Sequence, residues 1–247
     1  MNCLILAAGQ GSRLRALSDS KPLTPIGGIP LIEHVVRRAA AAGARDFVVA
    51  TGYQADRVEA FLATLPGRLG LEIRWVRTPD WERPNGHSAA AAAAAIDGDH
   101  LLLMSDHLFD PEIARRLLRA GCGGAGVRLV VDRDLASPLL DLDDATKVEA
   151  GEGGEIVRIG KTLASYNAID TGIFLATQRL AAAIRADIAA GGVGSLSAGV
   201  QRLADAGDAL TFDSGGGQWL DVDDPRSLRI AESLIGGGSA GVRDNAA

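Results

Sequence analysis

Asn2–Ile26 reads NCLILAAGQGSRLRALSDSKPLTPI: an apolar run, Cys3–Ala8, opens into Gly9-Gln10-Gly11-Ser12-Arg13 and then reaches Lys21-Pro22. A buried strand that ends in a glycine-rich loop is suited to cradle phosphate. Glycine lets backbone N–H groups approach phosphate oxygens closely, and Arg13 and Lys21 add positive charge. The loop is not a Walker sequence, because no Gly-Lys-Ser/Thr follows at the required spacing. It also departs from the dinucleotide fingerprint, since Leu14 stands where the third glycine is needed. The bland reading is a tight turn with solvated basic residues. Gly-x-Gly-Ser-Arg, seven residues, then Lys-Pro is a more specific pattern than a lone Gly-x-Gly.

The chain has 247 residues, enough for one large domain with an elaboration and for a substantial core. It is 47% hydrophobic and 23% charged, an ordinary balance for a globular protein. A net charge of −6 argues against a broad nucleic-acid-binding face, so nucleic acid is not an expected partner. Two cysteines, Cys3 and Cys122, make neither a disulfide framework nor a zinc spacing. The first apolar run is too short for a signal peptide. No apolar run reaches membrane-spanning length, so the expectation is a cytoplasmic protein that is not itself membrane-embedded.

Strand and helix patterns alternate through the first half, which predicts βαβ units and a mostly parallel sheet. The expected strands are Asn2–Ala7, Asp46–Thr51, Leu71–Val76, Leu101–Met104 and Val127–Asp132. Pro30 fits the first turn of a helix Leu31–Ala42 that stops at Gly43. Gln54–Leu65 stops before Pro66, Ser88–Ile96 is alanine-rich, and Asp110-Pro111 opens a helix ending near Gly121. After Asp132 a hairpin, Thr146–Ala150 with Glu155–Ile159, turns on Gly151–Gly154, and Ile169–Ala176 is a further strand. Helices at 178–190 and 196–206, strands at 209–213 and 219–222, and a helix Pro225–Ile235 complete the pattern. The fold expected is α/β, a single doubly wound, mostly parallel sheet over residues 1–235. An acceptor-side elaboration occupies about 133–175, and residues 236–247 form a flexible tail.

Several side chains in this frame carry chemistry. Asp106 follows the strand Leu101–Met104, and ligands in open α/β sheets bind at the carboxyl ends of strands. Trp219–Pro225 supplies further carboxylates: Asp221 and Asp223 share a face in an extended segment, and Asp224 suits the cap of the last helix. Either Asp221 or Asp223 completes a two-carboxylate metal site with Asp106, with Asp223 preferred. Mg²⁺ takes one or two protein carboxylates and fills its other positions with phosphate oxygens and water. In Pro84–Ser88 the Asn85 amide offers both a donor and an acceptor, as the edge of a base requires, and Gly86 leaves room for the ring. A plain Asn-Gly turn capped by serine is the alternative there. His87 and His107, two of only four histidines and without ligand spacing, read as structural or hydrogen-bonding rather than as general bases or metal ligands.

The Gly-x-Gly-Ser-Arg…Lys-Pro pattern resembles the signature of the nucleotidyltransferases that make NDP-sugars and CDP-alcohols. Within that superfamily several stretches are similar to the CTP:inositol-1-phosphate cytidylyltransferases. They are Met-Ser-Asp-His at 104–107, Asp-Arg at 132–133, Ala-Thr-Lys-Val at 145–148, Ile-Gly-Lys at 159–161 and Asp-Thr-Gly at 170–172. The resemblance implies a Rossmann-like nucleotidyltransferase fold and the Mg²⁺-dependent reaction of CTP with inositol-1-phosphate to give CDP-inositol and pyrophosphate. It places Gly9, Gly11, Arg13 and Lys21 on the triphosphate, Asn85, Gly86 and Ser88 around the base, and Asp106 and Asp223 on the metal. Arg13, Lys21 and Asp106 are the expected catalytic residues. Leu6, Ala7, Ala8, Ser12, Thr51 and Ser105 are expected to complete the nucleotide site.

For the phosphate-monoester acceptor the candidates are Asp132, Arg133, Lys147, Lys161 and Asp170. Asp134–Asp144 matches no motif. Family members are often joined to a membrane-embedded CDP-alcohol phosphotransferase, which makes such an enzyme an expected functional partner. Phosphocholine, phosphonate and sugar-1-phosphate nucleotidyltransferases remain alternatives, as does a non-catalytic nucleotide-binding regulator. Aromatic residues are only 4% of the chain, which disfavours a choline cage.

Overall fold

The computed structural model describes residues 1–14 and 18–237. The first strand, β1 (Asn2–Ala7), is buried along almost its whole length. A two-residue ribbon, β2 (Pro25–Ile26) with β3 (Ile29–Pro30), leads into α1 (Leu31–Ala42). Pro30 is the residue that caps α1 rather than one inside its first turn, because it still belongs to the ribbon. Gly43 ends the helix at φ 119°, donating its N–H to the carbonyls of Ala39 and Ala40.

β4 (Asp46–Thr51), α2 (Ala55–Leu62), α3 (Leu65–Leu69) and β5 (Glu72–Arg77) follow. Pro66 does not end the preceding helix; it lies in the first turn of α3, where its missing N–H costs no hydrogen bond. α4 (Asn85–Ala92) begins three residues earlier than the alanine tract suggests, so Asn85 and Gly86 are its first turn and not a loop. β6 (His100–Met104), β7 (His107–Phe109), α5 (Pro111–Ala120) and β8 (Val127–Asp132) come next. The Asp110 carboxylate caps α5 by accepting the Glu112 N–H.

The second half contains the hairpin β9 (Lys147–Ala150) and β10 (Ile156–Gly160), then β11 (Ala168–Ala176), α6 (Gln178–Ala189) and α7 (Leu196–Asp205). β12 (Ala209–Asp213), β13 (Trp219–Asp221) and α8 (Pro225–Gly237) complete it. α8 continues through Gly236 and Gly237, so the expected tail does not begin at 236; residues 238–247 lie outside the described residues.

The main sheet runs β10-β9-β11-β6-β1-β4-β5, with β8 pairing β11 and β12 pairing β8. All its strands except β10 and β11 point the same way, as the expectation of a mostly parallel sheet requires. Alternate residues of β1 face opposite layers. Cys3 and Ile5 pack with α1 and α5; Leu4 and Leu6 pack with α4, α6 and α7. The small Ala89, Ala90 and Ala92 side chains allow α4 to sit close to the sheet. A third apolar cluster joins Ile26, Leu31, Leu108, Leu220, Val222 and Leu228, fixing α8 and the β7–β13 ribbon to the rest.

This strand order sets the place of the site. The chain moves outward from β1 through β4 to β5, then returns to add β6 on the other side of β1. The carboxyl ends of β1 and β6 therefore flank the point where the winding reverses, the crevice in which open α/β sheets bind ligands. The Ser105 N–H bonds the Leu6 carbonyl at 3.1 Å, holding the glycine loop beside Asp106.

Candidate active site

A cavity of about 460 Å³ opens at this reversal point. The glycine loop forms one wall with Ala8, Gly9 and Gly11. Gly11 has φ +61°, and a Cβ there would lie 2.6 Å from Lys21 Cδ. Glycine at this position is what lets the Lys21 side chain lie against the loop. Lys21 begins a single 3₁₀ turn and is only 8% exposed.

The Lys21 ammonium forms ion pairs with Asp106 and Asp223, and lies 4.0 Å from Asp221 Oδ1. The β7–β13 ribbon brings these carboxylates together: Asp221 stands opposite His107, and the Val222 N–H bonds the Asp106 carbonyl at 2.9 Å. Burial pushes the Asp106 carboxyl up, but the charges of Lys21 and His107 outweigh it and hold the group below its usual value. Asp224 lies just outside this cluster and caps α8, accepting the Ser227 N–H at 2.7 Å.

His107, read as structural or hydrogen-bonding, does hydrogen-bond, and it also lines the cavity. Its Nδ1 donates to the Thr171 carbonyl at 2.8 Å, which turns Nε2 toward Asp221 Oδ2 at 3.5 Å and Asp106 Oδ1 at 3.6 Å. Burial opposes its positive charge, but the two aspartates prevail and push its pKa up to about 9. Gly172, at φ +73°, leaves the room this ring occupies: a Cβ there would meet His107 Cε1 at 2.5 Å. Its spacing from the aspartates in sequence gives no sign of this contact.

One donor atom in the cluster has no partner. Asp221 Oδ1 is buried and accepts no hydrogen bond. Among the described residues, ligand atoms of Asp106, His107 and Asp221 lie within 4.8 Å of one another. An orphaned carboxylate oxygen beside two further aspartates suits a hard, oxygen-seeking divalent cation. The carboxylates fit that role better than His107, because such a cation prefers oxygen donors.

The opposite wall comes from the end of the segment that matched no motif and the start of the Ala-Thr-Lys-Val stretch: Leu139, Leu140, Asp141 and Asp144, then Ala145 and Thr146, line the cavity. Asp144 Oδ1 accepts from Lys161 Nζ at 2.5 Å, and its Oδ2 accepts from Arg13, which also pairs with Asp223. The bonds from Lys161 and Arg13 hold the Asp144 carboxyl below its usual range. The segment is fixed at its other end, where the Arg226 guanidinium donates to the Pro138 carbonyl at 2.9 Å. Asp170 lines the same cavity; burial pushes its pKa up to about 6, against the Gly172 N–H it accepts at 2.7 Å. A break in register of β11 between Asp170 and Phe174 turns this carboxylate toward the cavity.

Leu6, Ala8, Gly9, Gly11, Arg13, Lys21, Asn85, Ser88, Ser105, Asp106, Lys161, Asp170, Asp221 and Asp223 all line the cavity. Other expected residues are committed elsewhere. Thr51 is fully buried and donates to Glu59 at 2.6 Å, and Ala7 is buried in the sheet. Gly86 does not line the cavity; a Cβ there would meet the Ser195 carbonyl carbon at 2.7 Å, so glycine serves a close approach of backbones. Asp132 accepts the Trp219 indole N–H at 2.7 Å, and Arg133 faces Asp213 at 3.4 Å. Lys147 donates to the Lys161 carbonyl at 2.9 Å and lies over the Tyr166 ring. The side chain of Ser12 is not among those described. Asp80, Trp81, Arg83 and Trp219 line the cavity without having been expected as nucleotide or acceptor residues.

A phosphate-cradling glycine loop, a buried lysine and a carboxylate cluster at the reversal point of an α/β sheet together define a nucleotide-dependent transferase. Residues 3–150 match the MobA-like NTP transferase domain, and the chain belongs to that family. The chain is 35% identical over 243 residues to the "Bifunctional IPC transferase and DIPP synthase" of Rubrobacter xylanophilus, covering 97% of this chain and 53% of that protein. It spans about half the length of this relative and of a second, from Thermococcus kodakarensis, of which 50% is covered. The fold is similar to the inositol-1-phosphate CTP transferase from T. maritima, with a TM-score of 0.80, 26% identity, and 98% of each chain covered. UDP-glucose pyrophosphorylase from Acinetobacter baumanii shares the fold at a TM-score of 0.79 and 17% identity, with 98% of this chain and 95% of that one covered. Among the described residues, no helix is long and apolar enough to cross a membrane.

Proposed function

We propose that the chain transfers the cytidylyl group of CTP to inositol-1-phosphate, releasing pyrophosphate and forming CDP-inositol. The observation that carries this reading is the meeting of the glycine loop, Lys21 and three aspartates in one cavity, in a chain similar throughout to an inositol-1-phosphate CTP transferase. The backbone N–H groups of Gly9–Gly11 and the cations of Arg13 and Lys21 hold the triphosphate. An oxygen of the acceptor phosphate attacks the α-phosphorus, the bond to the β-phosphate bridging oxygen breaks, and pyrophosphate leaves with that electron pair. The acceptor phosphate is already anionic near neutral pH, so no strong protein base is required. Lys21 stabilises the charge that develops, and Lys161 and Asp170 orient the acceptor. Asp106, Asp221 and Asp223 hold a divalent cation, taken here as Mg²⁺, which neutralises triphosphate charge when bound. A cytoplasmic setting and a downstream CDP-alcohol phosphotransferase that consumes the product complete the proposal.

The test is pyrophosphate release in Mg²⁺ with CTP, UTP, dTTP, ATP or GTP, each with inositol-1-phosphate, phosphocholine or glucose-1-phosphate. Release confined to CTP with inositol-1-phosphate, and abolished by Asp106→Ala, is the expected result. Turnover of CTP with another acceptor overturns the acceptor assignment. No release with any pair overturns the enzyme reading.

A further inference from the structure

Asp223 belongs to neither of the elements it lies between. β13 ends at Asp221 and α8 begins at Pro225, so neither a strand ladder nor a helical turn sets its main chain. What holds it is the third residue of α8. Pro225, Arg226 and Ser227 open that helix, and the capping Asp224 carboxylate accepts the Ser227 N–H at 2.7 Å. In a reciprocal cap the side chain at the third position reaches back to the N–H of the capping residue, a task usually given to glutamate or glutamine. Here serine does it: Ser227 Oγ accepts the Asp224 N–H at 3.0 Å. The same oxygen serves a second donor, the Asp223 N–H, also at 3.0 Å.

The hydroxyl is fully committed. It has two acceptor lone pairs and one proton. The Asp223 and Asp224 N–H groups occupy the lone pairs, and the proton goes to the Asp224 carbonyl at 3.0 Å. The N–H before these two is also fixed, since Val222 donates to the Asp106 carbonyl at 2.9 Å. Two successive N–H groups therefore set the spacing of the Asp106 and Asp223 carboxylates: one rests on Asp106 itself, the other on Ser227. A helix cap needs only the bonds to Asp224, so the bond to Asp223 is additional to capping. The Asp223 carboxylate reaches Lys21 and Arg13 in the cavity that Ser227 also lines.

Resting on the cation role proposed for Asp223, we infer that Ser227 is a positioning residue for the transfer reaction. Its hydroxyl holds Asp223 where that carboxylate and Asp106 can share one divalent cation. It acts through Asp223 and not on the reacting atoms. Without the hydroxyl, this aspartate is set chiefly by Lys21 and Arg13, which compete with a bound cation for its oxygens.

The test compares, on the full chain without acceptor, the calorimetric affinity for CTP in Mg²⁺ with that for CTP in EDTA. Their ratio isolates what the cation contributes to binding. In Ser227→Ala the ratio is expected to fall about tenfold, the cost of removing a group that orients a metal ligand. Ser227→Thr returns the hydroxyl and is expected to restore it. An alanine variant with the native ratio overturns the inference. So does one with both affinities weakened equally, because loss of a helix cap alone does not separate the two. A folded threonine variant as impaired as alanine overturns it as well. Thermal melts report folding; if the alanine variant does not fold, Ser227→Cys takes its place in the comparison, since a thiol is only a weak acceptor. A native protein that binds CTP equally with and without Mg²⁺ overturns the cation role of the site itself, an outcome distinct from any behaviour of the variants.

Discussion

The Lys21 ammonium is ion-paired to Asp223, tying the turn after the glycine loop to the residue just beyond the β7–β13 ribbon. Lys21 is almost completely buried, and Asp106 shares the same ammonium. Without a cation in the site, this lysine, His107 and Arg13 are what offset the clustered carboxylates. Lys21→Met leaves those carboxylates short of charge. It is expected to cost about 3 kcal/mol of stability in metal-free buffer, read from urea melts, with Mg²⁺ restoring part of the loss. Pyrophosphate release should fall about 10²–10³-fold, as when a group that stabilises developing charge is removed.

Chelation separates the two functions of the aspartates. Because Lys21 and His107 neutralise the cluster internally, EDTA is expected to abolish turnover while leaving the far-UV circular dichroism and Tm unchanged. Asp221→Asn, which alters a buried oxygen that accepts no hydrogen bond, should raise the Mg²⁺ concentration for half-maximal activity about tenfold. A large drop in Tm on chelation would show that the metal holds the fold.

Asp144 occupies two cations that the proposed substrates need, Arg13 and Lys161. Binding of triphosphate and acceptor phosphate must displace it from at least one. Asp144→Asn should therefore lower KM for CTP and for the acceptor severalfold. Both cations are about half exposed, so stability should change by less than about 1 kcal/mol. An unchanged or higher KM in steady-state kinetics would show that Asp144 helps to hold substrate.

Asp170 gives a pH dependence of defined sign. Its carboxyl is pushed up to about 6 in the folded chain, above the ordinary value of 3.8. Between those limits the folded state binds more protons than the unfolded state, so this group lowers stability as pH rises. Below about pH 4 the cost is absent; above about pH 6 it is complete, at roughly 2–3 kcal/mol. Asp170→Asn should reduce that part of the decline in Tm between pH 4 and 7. Parallel Tm profiles for the two proteins would contradict the assignment.

The parts legible in the sequence were those set by local pattern. The unbroken apolar run of β1 and the Gly43 stop of α1 coincide with the observed bounds, because each depends on neighbours along the chain. The aspartate after β6 and the Lys-Pro pair lie in the cavity, since strand ends at a reversal point face the ligand. The residues whose setting the sequence hides are those decided by distant partners. Gly86 reads as room for a base until Gly194 and Ser195 pack on it, and Asp132 reads as an acceptor ligand until the Trp219 indole donates to it. Asp144 stood in a stretch with no pattern to mark it. His107 carries no ligand spacing and enters the site only through its ribbon partner, Asp221.

The reversed strand β11 has a further consequence. On one side it borders the parallel core that carries the glycine loop and Asp106; on the other it carries β8 and the β9–β10 hairpin. Lys161, just beyond that hairpin, and Asp144, in the stretch that leads into it, thus sit on an annexe that pairs with β11 and packs on α7. Changes in length or composition there alter what the cavity admits, and reach the glycine loop through the Asp144–Arg13 pair. On the function proposed above, the core is the half that meets the nucleotide and the annexe the half that meets the phosphorylated alcohol, so a change of acceptor is a change in the annexe.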